Sequence, residues 1–525
     1  MPTPPSTSSC IEAIASKPGC STVRYTWTRT SPSRRWPSFR GRSPGPIVLP
    51  LAPMPHPSFT GTPAAAEDLV QARQALARAV RRVLGHRNGA TEQAPRVRQV
   101  QVPLPPLDPF RWLQAQTLFP RVYWSGRHDA EARCGVGAAH LLAADADADV
   151  DALQRLLAPV LAGSEAPVRY LGGLRFDAAR PTAPRWRPFG TYRFVLPRFE
   201  LHGAGEDARL VCNLLLPFDY ERADAILAEL DALVLEEGPP RGSLSLPTAR
   251  DDRPGLEGWR DNIRWALHAF ASSTLEKVVL ARRALFHLEA PIDPYLLLSN
   301  LQPATPNCFH FCFQFEPGAA FLGASPERLF HRAGRQIRSE AVAGTRPRGA
   351  SDLDDARLRD ELLRSEKDQR EHAYVRDSIE RALVPLCEHL HVDARASVMR
   401  LARGRHLVSG VHGTLRPGAT DFEVLRRLHP TPAVGGYPTA PALEAIRTLE
   451  SFDRGWYAGP VGWIGPDAAE FAVAIRSGLV EGARLALYSG AGIVRGSTPE
   501  AEWDEIEHKI SDFINVLGLD LRRAK

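Results

Sequence analysis

Methionine, paired cysteines and long apolar runs are what this sequence of 525 residues has least of. Only three methionines occur, Met1, Met54 and Met399. No apolar run approaches the roughly 18 residues that a membrane helix needs, so no spanning helix is expected. Seven cysteines, an odd number scattered at 10, 20, 134, 212, 308, 312 and 387, do not make a disulfide framework for a chain of this size. A reducing cytoplasm is the compartment this usage suits. An excess of one charge is also missing from the body of the chain. The formal net charge is +5, but residues 1–66 hold seven Lys/Arg against the single acid Glu12, which leaves about −1 for the rest. A nucleic-acid surface on the folded part is therefore not expected. No internal repeat is visible.

What is present is a globular composition, 44% hydrophobic and 24% charged, in a chain long enough to bury a large core. Residues 1–60, rich in Pro, Ser, Thr and Arg and without hydrophobic periodicity, read as a disordered leader. Met54 stands shortly before the first amphipathic helix, Ala65 to Leu84, and is expected to be the true start. Pro95 to Pro109 reads as an extended linker or edge segment. From Arg121 to about Pro217, short β-rich runs punctuated by Gly and Pro predict an antiparallel sheet, with helices at 149–162 and 220–237. After a glycine and proline loop near 238–254, the second half alternates strands and helices. These include a long helix from 353 to 391, breakable near Ser365 or Pro385, and helices at 421–428, 440–450 and 499–516.

Tyr488 to Lys509 is the stretch with most chemistry in it. Gly490 and Gly492 follow an apolar run, so backbone there can approach an anion. A helix follows, capped by Ser497 or Thr498, with Pro499 in its first turn and Glu500 placed as a capping-box acid. Trp503, Ile506, Ile510 and Phe513 form its apolar face. Glu502, Glu505 and Lys509 form a stripe beside it, which is either an ordinary surface pair with a neighbour or a place for a divalent cation and a small carboxylate.

Other residues gain meaning from their surroundings. Lys277 opens an apolar strand on the same face as Val279 and Ala281, and a lysine so desolvated moves toward service as a general base. A strand-end charge is the alternative. Glu327, in the turn SPE after a nearly all-apolar strand, is either a carboxyl kept protonated by burial or an acid at a helix start. Glu371 shares a helical stripe with Val375, Ile379, Ala382 and Leu386, so it needs a partner in or near the core, a cation or an arginine. Arg476 ends the run FAVAIR and suits a carboxylate. Gly344 and Thr345 offer a backbone N–H and a hydroxyl. Cys308, His310 and Cys312 share one strand face opposite Phe309, Phe311, Phe313 and Phe315, which packing explains better than a metal. His406, His412 and His429 lack ligand spacing and read as packing.

Taken together these segments resemble the chorismate-utilising enzymes, a family that includes isochorismate, salicylate, anthranilate and aminodeoxychorismate synthases. The motifs that carry the likeness are KVVLAR (277–282), FLGASPERL (321–329), AVAGTRPRG (341–349), SEKDQREH (365–372), LHPTPAVGGYP (428–438), RGWYAGPVGW (454–463), FAVAIRS (471–477) and YSGAGIV with EWDEIEHK (488–509). YLGGLRFD and FVLPRFEL extend it into the first half.

The resemblance implies an α+β fold of two large antiparallel sheets packed face to face with helices outside, as in anthranilate synthase component I. Residues 61–250 would supply the N-terminal sheet and helices of one compact unit, and 255–520 the chorismate-binding catalytic region. It implies Mg2+ on Glu371 and Glu505, with Glu502 reached through water, and substrate held by Gly344, Thr345, Tyr457, Arg476, Gly490, Gly492 and Lys509. Lys277 and Glu327 would be the catalytic base and acid. Lys277 stands where water-using members keep the base and ammonia-using members lack it. Ala343 stands where aminodeoxychorismate synthases carry an attacking lysine. The family member implied is thus an isochorismate synthase, with a salicylate synthase, an ammonia-using lyase and a non-catalytic binding protein as alternatives. RGWYAGPVGW leans toward the menaquinone type over the siderophore type. A monomer without an amidotransferase subunit is expected.

Overall fold

A computed structural model of the chain describes residues 63–519 apart from 86–93, 128–131, 146–149, 165, 204–206, 237–241 and 403. The leader at 1–60 and the proposed start at Met54 lie outside the described residues.

Alternation along the strands builds the core. In strand Phe309–Glu316, Phe309, Phe311, Phe313 and Phe315 enter one apolar cluster, while Cys312 on the opposite face, and Cys308 just before the strand, enter another, beneath helix Pro294–Ala304. The first cluster fills the space between two antiparallel sheets. Phe311 and Phe321 come from one sheet, and Phe330 and Phe471 from the other. The second cluster lies between the outer face of the first sheet and helices Pro63–Gly85, Pro109–Ala115, Pro294–Ala304 and Pro499–Val516, represented by Leu76, Phe110, Leu297 and Phe513.

The first sheet runs from an edge at Arg96–Pro103 through Arg209–Leu216, Tyr192–His202, Ala132–Ala144, Arg121–Ser125, Phe309–Glu316, Ala319–Ser325, Ser477–Glu481 and Arg484–Ile493 to Lys277–Leu288 and Pro247–Arg253. The second runs from Tyr192–His202 through Tyr170–Leu174, Pro460–Ile464, Ala468–Val473, Arg328–Ala333 and Gln336–Pro347 to Gly404–Leu415. Strand Tyr192–His202 belongs to both, because residues 192–195 pair with Tyr170–Leu174 and residues 199–202 with Arg209–Leu216. The two sheets of the α+β sandwich are therefore one hydrogen-bonded network, folded over on a shared strand.

Several elements differ from the periodicity reading. The helix expected over 353–391 is two helices, Asp352–Arg364 and Glu366–Leu383, because Ser365 leaves the helical conformation and caps the second by accepting from the Asp368 N–H. Beyond Pro385 the chain is strand Cys387–Val392, paired to Gly404–Leu415. The glycine loop expected after Ala343 is a continuation of strand Gln336–Pro347, bulged between Ala343 and Thr345 where Gly344 has φ +71°. The expected helix at 220–237 is a 3-10 turn, Phe218–Arg222, followed by helix Ala223–Asp231. Helix Pro294–Ala304, capped by Asp293 with Pro294 in its first turn, has too few polar residues for its period to show.

Candidate active site

The register of four neighbouring strands gathers residues far apart in the chain. Arg283, Tyr488, Ser477 and Gly323 form one row across strands Lys277–Leu288, Arg484–Ile493, Ser477–Glu481 and Ala319–Ser325. Because each strand is antiparallel to the next, going back from Arg283 to Lys277, forward from Tyr488 to Gly492, back from Ser477 to Arg476 and forward from Gly323 to Glu327 all lead to the same end of the sheet. At about 4.8 Å per strand, the backbones bearing Lys277 and Glu327 stand roughly 14 Å apart, with the Gly490–Gly492 strand and the start of the Arg476 strand between them. Two side chains reaching inward from those flanks leave room for a small ring.

Helices and the second sheet close this end into a cavity. Helix Glu366–Leu383 contributes Lys367, Asp368 and Glu371, helix Pro499–Val516 contributes Glu502, Glu505 and Lys509, and strand Gln336–Pro347 contributes Gly344 and Thr345. Tyr457 lines it with its ring stacked on Tyr488, centroids 5.3 Å apart. Every residue singled out from the sequence as a substrate or metal ligand lines this one cavity, and so does Glu327. Lys277 reaches its edge through Glu371. The second helix is capped by Thr498, not Ser497, whose hydroxyl accepts from the Val494 N–H instead.

Gly492 is required where it stands. A Cβ there would lie 2.6 Å from Glu371 Oε1 and 3.0 Å from Lys277 Cε, so only a bare backbone lets those two side chains meet. They do meet: Lys277 Nζ donates to Glu371 Oε1 at 2.9 Å. Lys277 is not the solitary desolvated amine of the sequence reading. It is fully buried and ion-paired, and the partner that Glu371 needs is this lysine rather than an arginine.

Glu327 is buried at the turn between two strands, so the helix-start alternative falls away. Burial pushes its carboxyl up to about 8, against the opposing pull of Lys277 and Lys509 and with help from the charge of Glu340. It is therefore protonated at neutral pH. Glu340 is itself held by Arg127 and Arg328.

Three of the four other carboxylates of the cavity face an ammonium, and the fourth, Asp368, is held by the Arg346 guanidinium at 2.7 Å. Besides the Lys277–Glu371 pair, Lys367 Nζ lies 3.2 Å from Glu502 Oε1 and Lys509 Nζ 2.7 Å from Glu505 Oε1. Lys509 also donates to the Gly490 carbonyl at 2.8 Å. The Glu505–Lys509 pair is thus the i,i+4 pair of the sequence reading, but it faces the cavity. Lys367 feels Glu502, Glu371 and Glu505 together, and their pull raises its pKa against the effect of burial. Burial and the charge of Glu505 push the Glu502 carboxyl up. Such a set of hard oxygen donors converging on one positive charge suits a small divalent cation. No group of three His, Cys, Asp or Glu among the described residues is already arranged to hold one.

Several lining residues escaped the sequence reading, Lys367 and His406 among them. Lys367 stands four residues before Glu371, one helical turn, which is the spacing that drew attention to Glu371. His406, assigned to packing, lines the cavity with Nδ1 3.1 Å from the Gly344 carbonyl and 3.2 Å from Thr345 Oγ1. Burial, with Arg476 and Lys509 nearby, holds it down to about 3. It is neutral, and a proton on Nδ1 toward Gly344 leaves Nε2 as an acceptor. Arg476 adopts φ +51° and keeps Nη1 3.4 Å from Asp512 Oδ2. His429 bonds the Phe176 carbonyl and His310 the Thr305 hydroxyl, so both are packing residues, as are the buried thiols Cys308 and Cys312.

The comparisons agree with this geometry. Residues 78–518 match the family described as chorismate binding enzyme. Isochorismate synthase 2, chloroplastic, of Arabidopsis thaliana is 36% identical over 438 residues, covering 77% of this chain and 78% of the relative. Isochorismate synthase MenF of Escherichia coli is 32% identical over 85% of this chain and 100% of its own length. The solved structure of that menaquinone-specific MenF superposes with a TM-score of 0.73 over 86% of this chain and 100% of the other. Anthranilate synthase component I of Streptococcus pneumoniae, 20% identical with a TM-score of 0.60 over 74% of this chain and 95% of its own, shares the fold. With a match that spans nearly all the described residues and a cavity built from that match's dispersed motifs, the chain belongs to the chorismate-binding enzyme family.

Proposed function

We propose that the protein is a Mg2+-dependent isochorismate synthase, converting chorismate to isochorismate. The observation that carries the reading is one cavity lined by a buried carboxyl kept neutral, Glu327, with a buried amine, Lys277, set behind its lining residue Glu371 at 2.9 Å. Lys277 takes a proton from water as the water oxygen bonds to C2 of the ring. The ring double bonds shift, and the C4–O bond breaks as Glu327 gives its proton to the departing hydroxyl, which leaves as water. Each role contributes about 10²–10⁴-fold. Lys277 can serve as base only when Glu371 is engaged by something other than its ammonium.

Glu371 and Glu505, with Glu502 beside them, are the residues that would hold Mg2+, which when bound supplies a Lewis acid for the ring carboxylate. Arg476, Tyr457, Lys509, Thr345 and the N–H groups of Gly344, Gly490 and Gly492 orient the two carboxylates of the substrate. The neutral Nε2 of His406 accepts from a substrate hydroxyl. The names of the plant and bacterial relatives, isochorismate synthases, favour this activity, and MenF's printed specificity favours a menaquinone role. Among the described residues no helix is long and apolar enough to cross a membrane. A cytoplasmic monomer working without an amidotransferase subunit completes the proposal.

The test is incubation of the purified chain with chorismate and Mg2+ and chromatographic identification of the product. Isochorismate supports the reading. Salicylate with pyruvate, anthranilate when ammonium is added, or no loss of chorismate would each replace it.

A further inference from the structure

A second concavity opens on the other side of the tyrosine wall of the active site. It is lined by Arg180, Arg185, Arg283, Ser451, Phe452 and Asp453, with Pro181 and Ala183 at its rim. Arg283 is the unusual member. It lies on strand Lys277–Leu288 between Arg253 and Tyr488 in the register, is only 9% exposed, and among the described residues its side chain makes no hydrogen bond or ion pair, its Nε being buried without a partner. The ring of Phe452 lies 5.9 Å from its guanidinium carbon. A buried guanidinium left this way is costly, and the cost falls when a counter-charge arrives.

Among the described residues the nearby acids are already engaged by other arginines. Asp453 is held by two 2.9 Å contacts from Arg175, and Asp251, the acid that Arg283 senses, pairs with Arg253 at 3.6 Å. Glu481 lies 3.5 Å from Arg185 and 3.9 Å from Arg484. Arg185 still has a buried Nη1 without a hydrogen-bond partner, and its charge acts on Arg283 unfavourably. Arg180 is anchored by Nη2 on the Glu450 carbonyl at 2.8 Å.

We propose that this concavity is a second ligand site, taking a small oxyanion, a phosphate or a carboxylate, on the guanidinium groups of Arg283, Arg185 and Arg180. Planar N–H forks suit such oxygens, and the half-enclosed setting strengthens the pairing. The site is joined to the active site by contact. Phe452 packs on Tyr488 at 6.0 Å between centroids, and Tyr488 stacks on Tyr457, which lines the catalytic cavity.

Isothermal titration of the full chain with inorganic phosphate, and in parallel with acetate, at constant ionic strength tests this. Saturable binding of either anion is expected, and the better of the two identifies the source chemistry. Arg283→Met weakens it about tenfold or more, as loss of a charge-assisted contact does. Arg180→Met, at a half-buried position, weakens it in the same direction and serves if Arg283→Met does not fold. Arg476→Met, in the catalytic cavity, leaves it unchanged. Absence of saturable binding in the unaltered chain, or equal binding by the Arg283 and Arg180 variants, would overturn the proposal. Loss of binding in Arg476→Met alone would do so too. Chorismate turnover is read separately, so the result stands whatever the catalytic reading.

Discussion

Lys277 and Glu371 come from segments 94 residues apart and meet as an ion pair of 2.9 Å, the lysine fully buried and the glutamate side chain 16% exposed. The pair couples a strand of the first sheet to the helix that covers the cavity. Removing its cationic half leaves a largely buried carboxylate uncompensated, which costs on the order of 1–3 kcal/mol after allowance for the partial exposure of Glu371. Lys277→Met should therefore lower the thermal midpoint in metal-free buffer, and Mg2+ should restore more of it than in the unaltered protein. Turnover by the same variant should fall at least 10²-fold while calorimetry still detects chorismate binding. Near-normal isochorismate production would remove Lys277 from the mechanism.

Glu327 gives the pH dependence its sign. Its carboxyl titrates near 8 when folded, well above the ordinary carboxylic value of 4.5. As an acid it must be protonated, so turnover should decline as pH rises through about 8. The stability consequence runs the same way. A raised pKa contributes stability that is whole below about 4.5 and is lost as pH climbs to about 8, a range over which the unfolded chain releases the proton and the folded chain keeps it. Glu327→Gln should abolish turnover yet unfold at a higher temperature than the unaltered protein at pH 8.5, by a few kcal/mol in stability at most. A variant no more stable at pH 8.5 than at pH 5, relative to the unaltered protein, would show that the carboxyl is ionised in the fold.

How much of this was readable beforehand follows from the range of each interaction. The helix at 499–516 and the aromatic face of 309–315 rest on local periodicity and stand where expected. Lys277, Glu327 and Glu371 stood out because a charge in an apolar pattern is a local anomaly. Their partners did not, since pairing a strand residue with a helix residue 94 positions away depends on tertiary register. His406 was passed over for the same reason. Only the bulge at Gly344 in the neighbouring strand makes it a cavity residue. Residues 344–347 read as loop because two glycines and a proline within 344–349 mask a strand that tertiary pairing imposes.

Gly492 tests the proximity of that ion pair without touching a charge. An added Cβ, 2.6 Å from Glu371 Oε1, must push the carboxylate aside, and the backbone there has no positive φ to complicate the change. Gly492→Ala should leave the circular dichroism spectrum intact and lower kcat/KM by about 10–100-fold, as displacement of a positioned group by near an ångström does. A variant of full activity would mean that the contact between Lys277 and Glu371 is incidental to catalysis.

Lys367 decides whether the three carboxylates act as one site. Its ammonium is 3.2 Å from Glu502, senses Glu371 and Glu505 as well, and belongs to a side chain 44% exposed that has solvent to move into. A monovalent charge in that position competes with any divalent cation for the same oxygens. Because the side chain is half in solvent, the competition is worth only a modest factor. Lys367→Gln should tighten binding of Mn2+, followed by the loss of its free paramagnetic signal without substrate, by roughly three- to tenfold. Glu371→Gln should weaken it by more than that. If Lys367→Gln binds Mn2+ no better, the carboxylates of the two helices do not converge on a shared ion, and the assignment of Glu371 and Glu505 as its holders fails.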